Sequence, residues 1–271
     1  MKILVFGDIV SRIGREAVKK VLPELKAAHD IDLTIANAEN LAHGKGVTAD
    51  SLNDLLGAGV DFFTSGNHVW DKKEVFEVFS DARLADKLIR PANYPLGTPG
   101  EGSKFLSVGT KNVLVVNLLG RVFSKVLTDD PFRTFDDILA QHAHRKPSVI
   151  LVDFHGDATS ERTAFGWHAA GRATAVWGTH SHVPTRDERI LPGGTAYITD
   201  VGMCGDYDSV IGMDKDEPMS RFLRRIPGGR FTAASGEATV CGVVVDSDDA
   251  TGLATAIVPL RMGGRLAPVA P

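Results

Sequence analysis

Through the first half of the chain, short apolar runs alternate with segments whose apolar residues recur every three or four positions. Lys2–Phe6 predicts a buried strand and Glu16–Ala28 a helix, its stripe formed by Val18, Val21, Leu22 and Leu25. A strand at Leu33–Ala36, a helix at Ala49–Gly57 and a strand at Phe62–Thr64 continue the alternation. This is the grammar of βαβ units, and it sets the fold class as α/β. The second half is richer in strands, with candidates at Val113–Leu119, Val149–Phe154, Ala175–Trp177, Thr195–Thr199 and Val240–Val245. Helices are expected at Thr134–His142, Glu161–Ala170 and Pro218–Arg225. The Pro/Gly-rich stretch Arg90–Gly102 reads either as a linker or as a loop over a site. Repeats, heptads and low-complexity segments are absent, and one domain over residues 1–271 is the reading we adopt.

Polar residues able to bind metal follow the apolar runs five times: Asp8 after ILVFG, Glu39 and Asn40 after LTIANA, Asn67 after FFTSG, His155 after VILVDF, and His180 with His182 after AVWGT. In α/β folds the carboxyl ends of strands converge on one crevice, so residues far apart in sequence can meet there. Each has a structural reading when taken singly. Asp8 suits a helix cap, Asn37, Asn40 and Asn67 suit turns, and a histidine beside an apolar strand is commonly a satisfied core residue. Agreement across five strand ends favours a single site. His180-x-His182 then requires a bent loop, because alternate residues of an extended backbone face opposite ways.

One Asp, one Glu, two Asn and three His form a mixed oxygen and nitrogen set without thiolate. That mixture suits manganese, iron, zinc or cobalt better than calcium or magnesium. If two ions bind about 3.5–4 Å apart a carboxylate must bridge them, and Glu39 is the candidate. The remaining composition narrows the partners. Lys+Arg 30 against Asp+Glu 34 leaves a net charge of −4, which gives no general footprint for long nucleic acids or anionic membranes. No stretch is long and apolar enough to span a bilayer. Cys204 and Cys241 lie in no C-x-x-C pattern and read as free buried thiols, in keeping with a cytoplasmic location; the N-terminus enters a strand with no secretory leader. GDIVSRIG lacks the Lys-Ser/Thr ending of a P-loop, and no G-x-G-x-x-G follows the first strand.

In order along the chain, GDIVSRIGR, NAEN, SGNHVWD, VDFHGDATSE and GTHSHVPTRDE resemble the calcineurin-like metallophosphoesterase superfamily, and within it the YmdB-like bacterial phosphodiesterase branch. RPANYP, NLLGRVF, GTAYITDVGM and DSVIGM extend the resemblance over nearly the whole chain. It implies a two-layer β-sandwich core flanked by helices (αββα). It also implies that Asp8, Asn40 and His182 hold one metal, that Asn67, His155 and His180 hold the other, and that Glu39 bridges them. The ions implied are two divalent or mixed-valence transition metals, iron or manganese first, with zinc or cobalt as alternatives. His68 would be the proton donor at the substrate face. Apart from the resemblance, His43, in LAHGKGVT, follows NAEN closely enough to border the same cleft and is a candidate substrate contact on that ground. The chain departs from the wider superfamily at Val10, where a D-x-H motif would place a ligand, and at Glu39, where an Asp is usual. Asn40 can fill the vacancy. Asp157 and the tract Trp167-His168-Ala169-Ala170 also depart from the branch, outside the expected ligand set.

The expected function is a metal-dependent phosphodiesterase acting on small phosphodiesters, with 2′,3′-cyclic nucleotides as the leading class. A two-metal-activated hydroxide would attack, and His68 would act as general acid. The alternative is a metal-dependent nucleotide-binding regulator with little turnover. A two-metal amidohydrolase shares the ligand types but usually sits on a (β/α) barrel, which the strand-rich second half disfavours. The sequence leaves the oligomeric state open, a homo-oligomer included.

Overall fold

The computed structural model describes residues 1–270. The chain opens with β1 (Lys2–Ile9), α1 (Ser11–His29), β2 (Leu33–Asn37), α2 (Ala49–Ala58) and β3 (Phe62–Thr64), followed by the short helices α3 (Val75–Ser80) and α4 (Ala82–Ala85). A second run comprises β4 (Ser103–Val108), β5 (Lys111–Leu119), α5 (Pro131–His142), β6 (Val149–His155), α6 (Thr159–Ala169), β7 (Ala175–Thr179), β8 (Arg189–Leu191) and β9 (Thr195–Ile198). β10 (Met203–Asp206), α7 (Asp216–Arg224), β11 (Ala238–Ser247) and β12 (Ala254–Met262) close the chain.

These strands form two six-stranded sheets, ordered β12-β11-β10-β1-β2-β3 and β4-β5-β6-β7-β9-β8. In the first, β1, β2 and β3 run parallel; in the second, β5, β6, β7 and β9 do. Side-chain alternation along each strand then builds three apolar layers. Ile3 and Val5 of β1 meet Val113, Leu151 and Trp177 between the sheets. Leu4 and Phe6 point the other way, onto Val18 and Leu22 of α1. On the far face of the second sheet, Phe154 packs under Phe165 of α6 with ring centroids 4.6 Å apart, and Phe135 of α5 completes the cluster. Each fully buried Phe contributes about 1.5–3 kcal/mol. The result is a two-layer β-sandwich flanked by helices.

Several elements depart from the pattern expected of them. β12 contains Pro259, which a central strand would reject, and it is tolerated because β12 lies at a sheet edge. β4 is also an edge strand, and its half-buried SKFLSV lacks a strong apolar signal. Arg90–Gly102 is a loop rather than a linker. Its ends are tied by Arg90 N to the Glu101 carbonyl at 2.9 Å, and Asn93 Nδ2 donates to the Leu119 carbonyl at 2.8 Å. Nor does Asp8 cap a helix, since α1 starts after Val10 with no side-chain cap.

Candidate metal centre

Asp8 lies in the penultimate position of β1, and His155 is the last residue of β6. The loops after β2, β3 and β7 carry Glu39 with Asn40, Asn67, and His180 with His182. All seven residues meet where the two sheets' strand ends adjoin. His155 Nε2 lies 3.0 Å from Asn67 Oδ1, 3.3 Å from Glu39 Oε1 and 3.1 Å from His180 Nδ1. Asp8 Oδ2 accepts from the His180 main-chain N at 3.0 Å, and Glu39 Oε2 from that of His68 at 2.9 Å.

Local backbone makes this convergence possible. His180 and His182 have φ of 104° and 64°, so the bend that aims both rings inward is built from left-handed residues. At Gly66 a Cβ would stand 2.3 Å from Glu39 Oε2 and 2.4 Å from His155 Nε2, so only glycine lets this loop pass against the cluster.

The donor chemistry fits cations. His155 Nδ1 is 2.8 Å from Thr179 Oγ1, whose hydroxyl is donated to Asp153 Oδ1 at 2.7 Å; the imidazole therefore carries its hydrogen on Nδ1 and presents the Nε2 lone pair to the cluster. His182 Nδ1 donates to the Ile211 carbonyl at 2.8 Å, leaving its Nε2 3.1 Å from the Asn40 amide. With the Asn40 nitrogen turned to donate to Glu39 Oε1 at 3.1 Å, its oxygen stands 3.1 Å from the same Nε2 and accepts from it when that nitrogen carries the hydrogen. Asp8 Oδ1 is fully buried without any hydrogen-bond partner. Electron-pair donors that face one another, and an orphaned buried carboxylate oxygen, are costly in a protein interior unless a cation joins them. Two sets satisfy this within 4.8 Å: Glu39, His155 and His180, and Asp8, Glu39 and His182. Glu39 belongs to both.

The titration behaviour follows from the same crowding. Burial pushes the Asp8 carboxyl well above its ordinary range, with Glu39 adding repulsion. Burial would also raise Glu39, but His155 and the His68 N–H outweigh it and hold this carboxyl below its usual value. Burial opposes charge on His155, yet Glu39 and Asp8 raise it to about 9. His180 is pushed down to about 3, by burial first and by His155 second, and burial likewise lowers His182. Among the described residues no lysine or arginine pairs with Asp8 or Glu39.

His68 sits at the rim rather than in the cluster, lining the cavity above Glu39, with Nδ1 held 2.9 Å from Asp71 Oδ2. His43 is placed elsewhere. Its neighbours Gly44 and Lys45 line the cavity over the cluster, but His43, at φ 57°, lines a separate one with Arg12, Arg15 and Asp54. Nearness to NAEN in sequence did not translate into a shared cleft, because the left-handed turn directs the ring outwards.

The family model for YmdB-like proteins matches residues 4–260. This chain belongs to the YmdB-like family. It is 50% identical over 251 residues to a 2′,3′-cyclic-nucleotide 2′-phosphodiesterase of Bacillus subtilis, covering 93% of each chain. A crystal structure of a hypothetical protein from Thermus thermophilus is 41% identical with a TM-score of 0.90, over 98% of this chain and all of that one. A crystal structure described as a novel phosphatase of Mycoplasma pneumoniae is 33% identical, also with a TM-score of 0.90, over 97% and 93% of the two chains.

Around this YmdB-like centre lie supporting residues that the sequence patterns did not single out. Asp153 is fully buried within β6 and takes hydrogen bonds from Thr64, Thr179 and Asn37, so it orients His155 through Thr179. Asp200, also buried, pairs with Arg162 of α6 and accepts from Ser181 N and Oγ at 3.1 and 2.6 Å, pinning the loop between His180 and His182. An aspartate inside the apolar run VILVDF was the available signal for Asp153. Nothing local marks Arg162 or Asp200 as partners, since they lie 38 residues apart.

Proposed function

We propose that this YmdB-like protein is a metal-dependent phosphodiesterase of small phosphodiesters, 2′,3′-cyclic nucleotides being the leading substrate class. The observation that carries the reading is Glu39, common to both donor sets at the floor of one cavity. In this proposal Asp8, Asn40 and His182 hold one ion, Asn67, His155 and His180 the other, and Glu39 bridges. The mixed oxygen and nitrogen set without thiolate favours iron or manganese. Such ions, when bound, polarise a phosphoryl oxygen and lower the pKa of water to near neutrality. The relative from Bacillus subtilis bears the name of the same activity and shares half of its aligned residues.

The chain's own residues define the rest of the chemistry. Hydrolysis breaks one P–O bond to ribose, and the departing oxygen requires a proton. His68 faces the cavity from its rim, and Asp71 fixes the ring, so it is placed to deliver that proton. A cytoplasmic location is supported by the two unpaired, buried cysteines. No helix among the described residues is long and apolar enough to cross a membrane.

Metal analysis of freshly purified protein, coupled to a phosphodiester screen, tests the proposal. Two equivalents of transition metal and hydrolysis of a cyclic nucleotide are expected. Fully metallated protein that binds nucleotide yet hydrolyses no phosphate ester would overturn it and leave the regulator.

A further inference from the structure

The cavity over the centre, about 340 Å³, has a wall that phosphoryl chemistry does not use. Its floor is Glu39, Asn40, His180 and His182; facing them are Ile211, Met213, Phe222 and Phe231. Phe222 is 69% exposed and Phe231 40%. Scattered exposed apolar residues are ordinary, but two aromatic rings sharing one cavity with a candidate phosphate site are not scattered. The Phe231 ring is flanked by cations. The Arg221 guanidinium lies 4.2 Å from the Phe231 centroid and Lys45 Nζ 5.8 Å from it. Arg221 is itself held by Glu217 at 2.6 Å and by the Gly229 carbonyl at 3.1 Å, which fixes the platform.

We propose that this wall is a nucleobase subsite, in which Phe222 and Phe231 stack the base of a nucleotide whose phosphate rests over the floor. The inference builds on the phosphodiesterase reading above. The cavity selects a ligand with an anionic group at one end and a flat, weakly polar body at the other. Its volume falls within the roughly 300–1,000 Å³ of small-molecule sites. Phe rings stack with any base, and of the two cations in the same lining Arg221 is already engaged by Glu217 and the Gly229 carbonyl, while Lys45 lies against the Phe231 ring. A site that holds a base by stacking rather than by hydrogen bonds to its edge discriminates weakly among bases. The subsite therefore senses that a base is present, not which one it is. Specificity constants for the four 2′,3′-cyclic nucleotides should agree within about tenfold.

The test compares 2′,3′-cyclic AMP with base-free ribose 2′,3′-cyclic phosphate on the metallated wild type and on Phe222→Ala, an exposed position whose truncation leaves the core intact. KM for the nucleotide should rise about 5–150-fold, the usual worth of one stacked base, with kcat little changed. KM for the base-free ester should not move, and Phe222→Trp should retain nucleotide affinity. Equal losses on both substrates, or no loss on the nucleotide, overturn the subsite. A second readout needs no turnover. In saturation-transfer NMR the wild-type protein should pass magnetisation to the adenosine base protons, and the Phe222→Ala, Phe231→Ala double variant should not; absence of transfer in the wild type also overturns the subsite. Transfer to the base without hydrolysis of either ester would sink the phosphodiesterase reading and leave the subsite standing.

Discussion

The two sheets supply different halves of the candidate centre. Strand ends and loops of the first sheet bring oxygen donors, Asp8, Glu39, Asn40 and Asn67, and with them all of its formal charge. Those of the second bring only imidazoles, His155, His180 and His182. Their supports differ as well. The two carboxylates are steadied by main-chain N–H groups of His180 and His68. The imidazole side is held by buried side-chain networks through Thr179 and Asp153, and through Asp200 and Arg162. The first sheet provides the electrostatic attraction for a cation, and the second fixes direction and lone pairs. Neither layer forms a site alone, so metal in the seam would join them.

The largest expected effect comes from removing charge on the oxygen side. Glu39→Gln keeps the shape of the shared ligand but leaves two cations with less anionic compensation at close range, so one should be lost. We expect fewer than two metal equivalents by elemental analysis and no measurable turnover. His180→Gln exchanges one neutral donor for another and should retain more metal than Glu39→Gln. The reverse ranking would break the division of labour between the sheets, and unchanged stoichiometry with full activity in Glu39→Gln would remove it from the bridging role.

His68 belongs to neither donor set and so sharpens the comparison by separating proton transfer from metal binding. His68→Ala should keep both metals while turnover falls about 10²–10⁴-fold, the usual worth of a general acid. The loss should shrink for nitrophenyl esters, whose leaving group departs without a proton. One metal equivalent lost instead would make His68 a ligand. A rate loss equal for good and poor leaving groups would exclude the general acid.

How legible these halves were depends on how far their causes lie along the chain. The βαβ run through β3 and the helical stripe Val18–Leu22–Leu25 follow from local periodicity, and those elements were found within a few residues of their expected limits. The seven candidate donors stand out because each follows an apolar run, although Asp8 and His155 lie inside their strands rather than beyond them. Edge strands such as β4 and β12 carry no strong pattern, since a half-exposed or Pro-bearing strand is recognised only by its neighbour. The supports of the imidazole side were least legible. The Arg162–Asp200 pair and the Asp153 network are long-range consequences of packing. His43 shows the opposite case, because its own left-handed backbone sets it in a separate cavity although the next residue, Gly44, lines the cleft.

Thr179→Val tests the imidazole side without touching a donor. The substitution preserves shape but removes the oxygen that accepts from His155 Nδ1 at 2.8 Å and links it to Asp153. Supports of this kind are worth about 10–100-fold in metal affinity. A loss of that size, measured by competition with a chelator, is expected in Thr179→Val and should be absent in Thr179→Ser. Equal affinity in all three proteins would mean that the orientation of His155 is set by packing alone.

The smallest expected effect concerns acid stability of the loop that carries His180 and His182. Downstream of it, Asp187 accepts from Thr185 Oγ1 at 2.7 Å and from Thr199 N at 3.1 Å, and through Thr185 it is tied to Asp200 N. Burial would raise this carboxyl, but the Thr199 and Thr185 hydrogen bonds outweigh it and hold it below its usual value. A carboxyl lowered in the folded state adds stability above its unfolded pKa, about 3.9, and loses that contribution as pH falls through the lower folded value. Asp187→Asn should therefore lower Tm at pH 7 by about 2–4 °C, corresponding to about 1 kcal/mol of hydrogen bonding in a chain of this size. The gap from wild type should narrow below about pH 4, where the unfolded carboxyl takes up its proton, and close as pH falls through the lower folded value. Melting curves of both proteins between pH 7 and pH 2, recorded without metal, decide the matter. A gap that stays constant over that range would show that the loop is held by the shape of residue 187 and not by its charge, and the imidazole side would then owe nothing to this carboxylate.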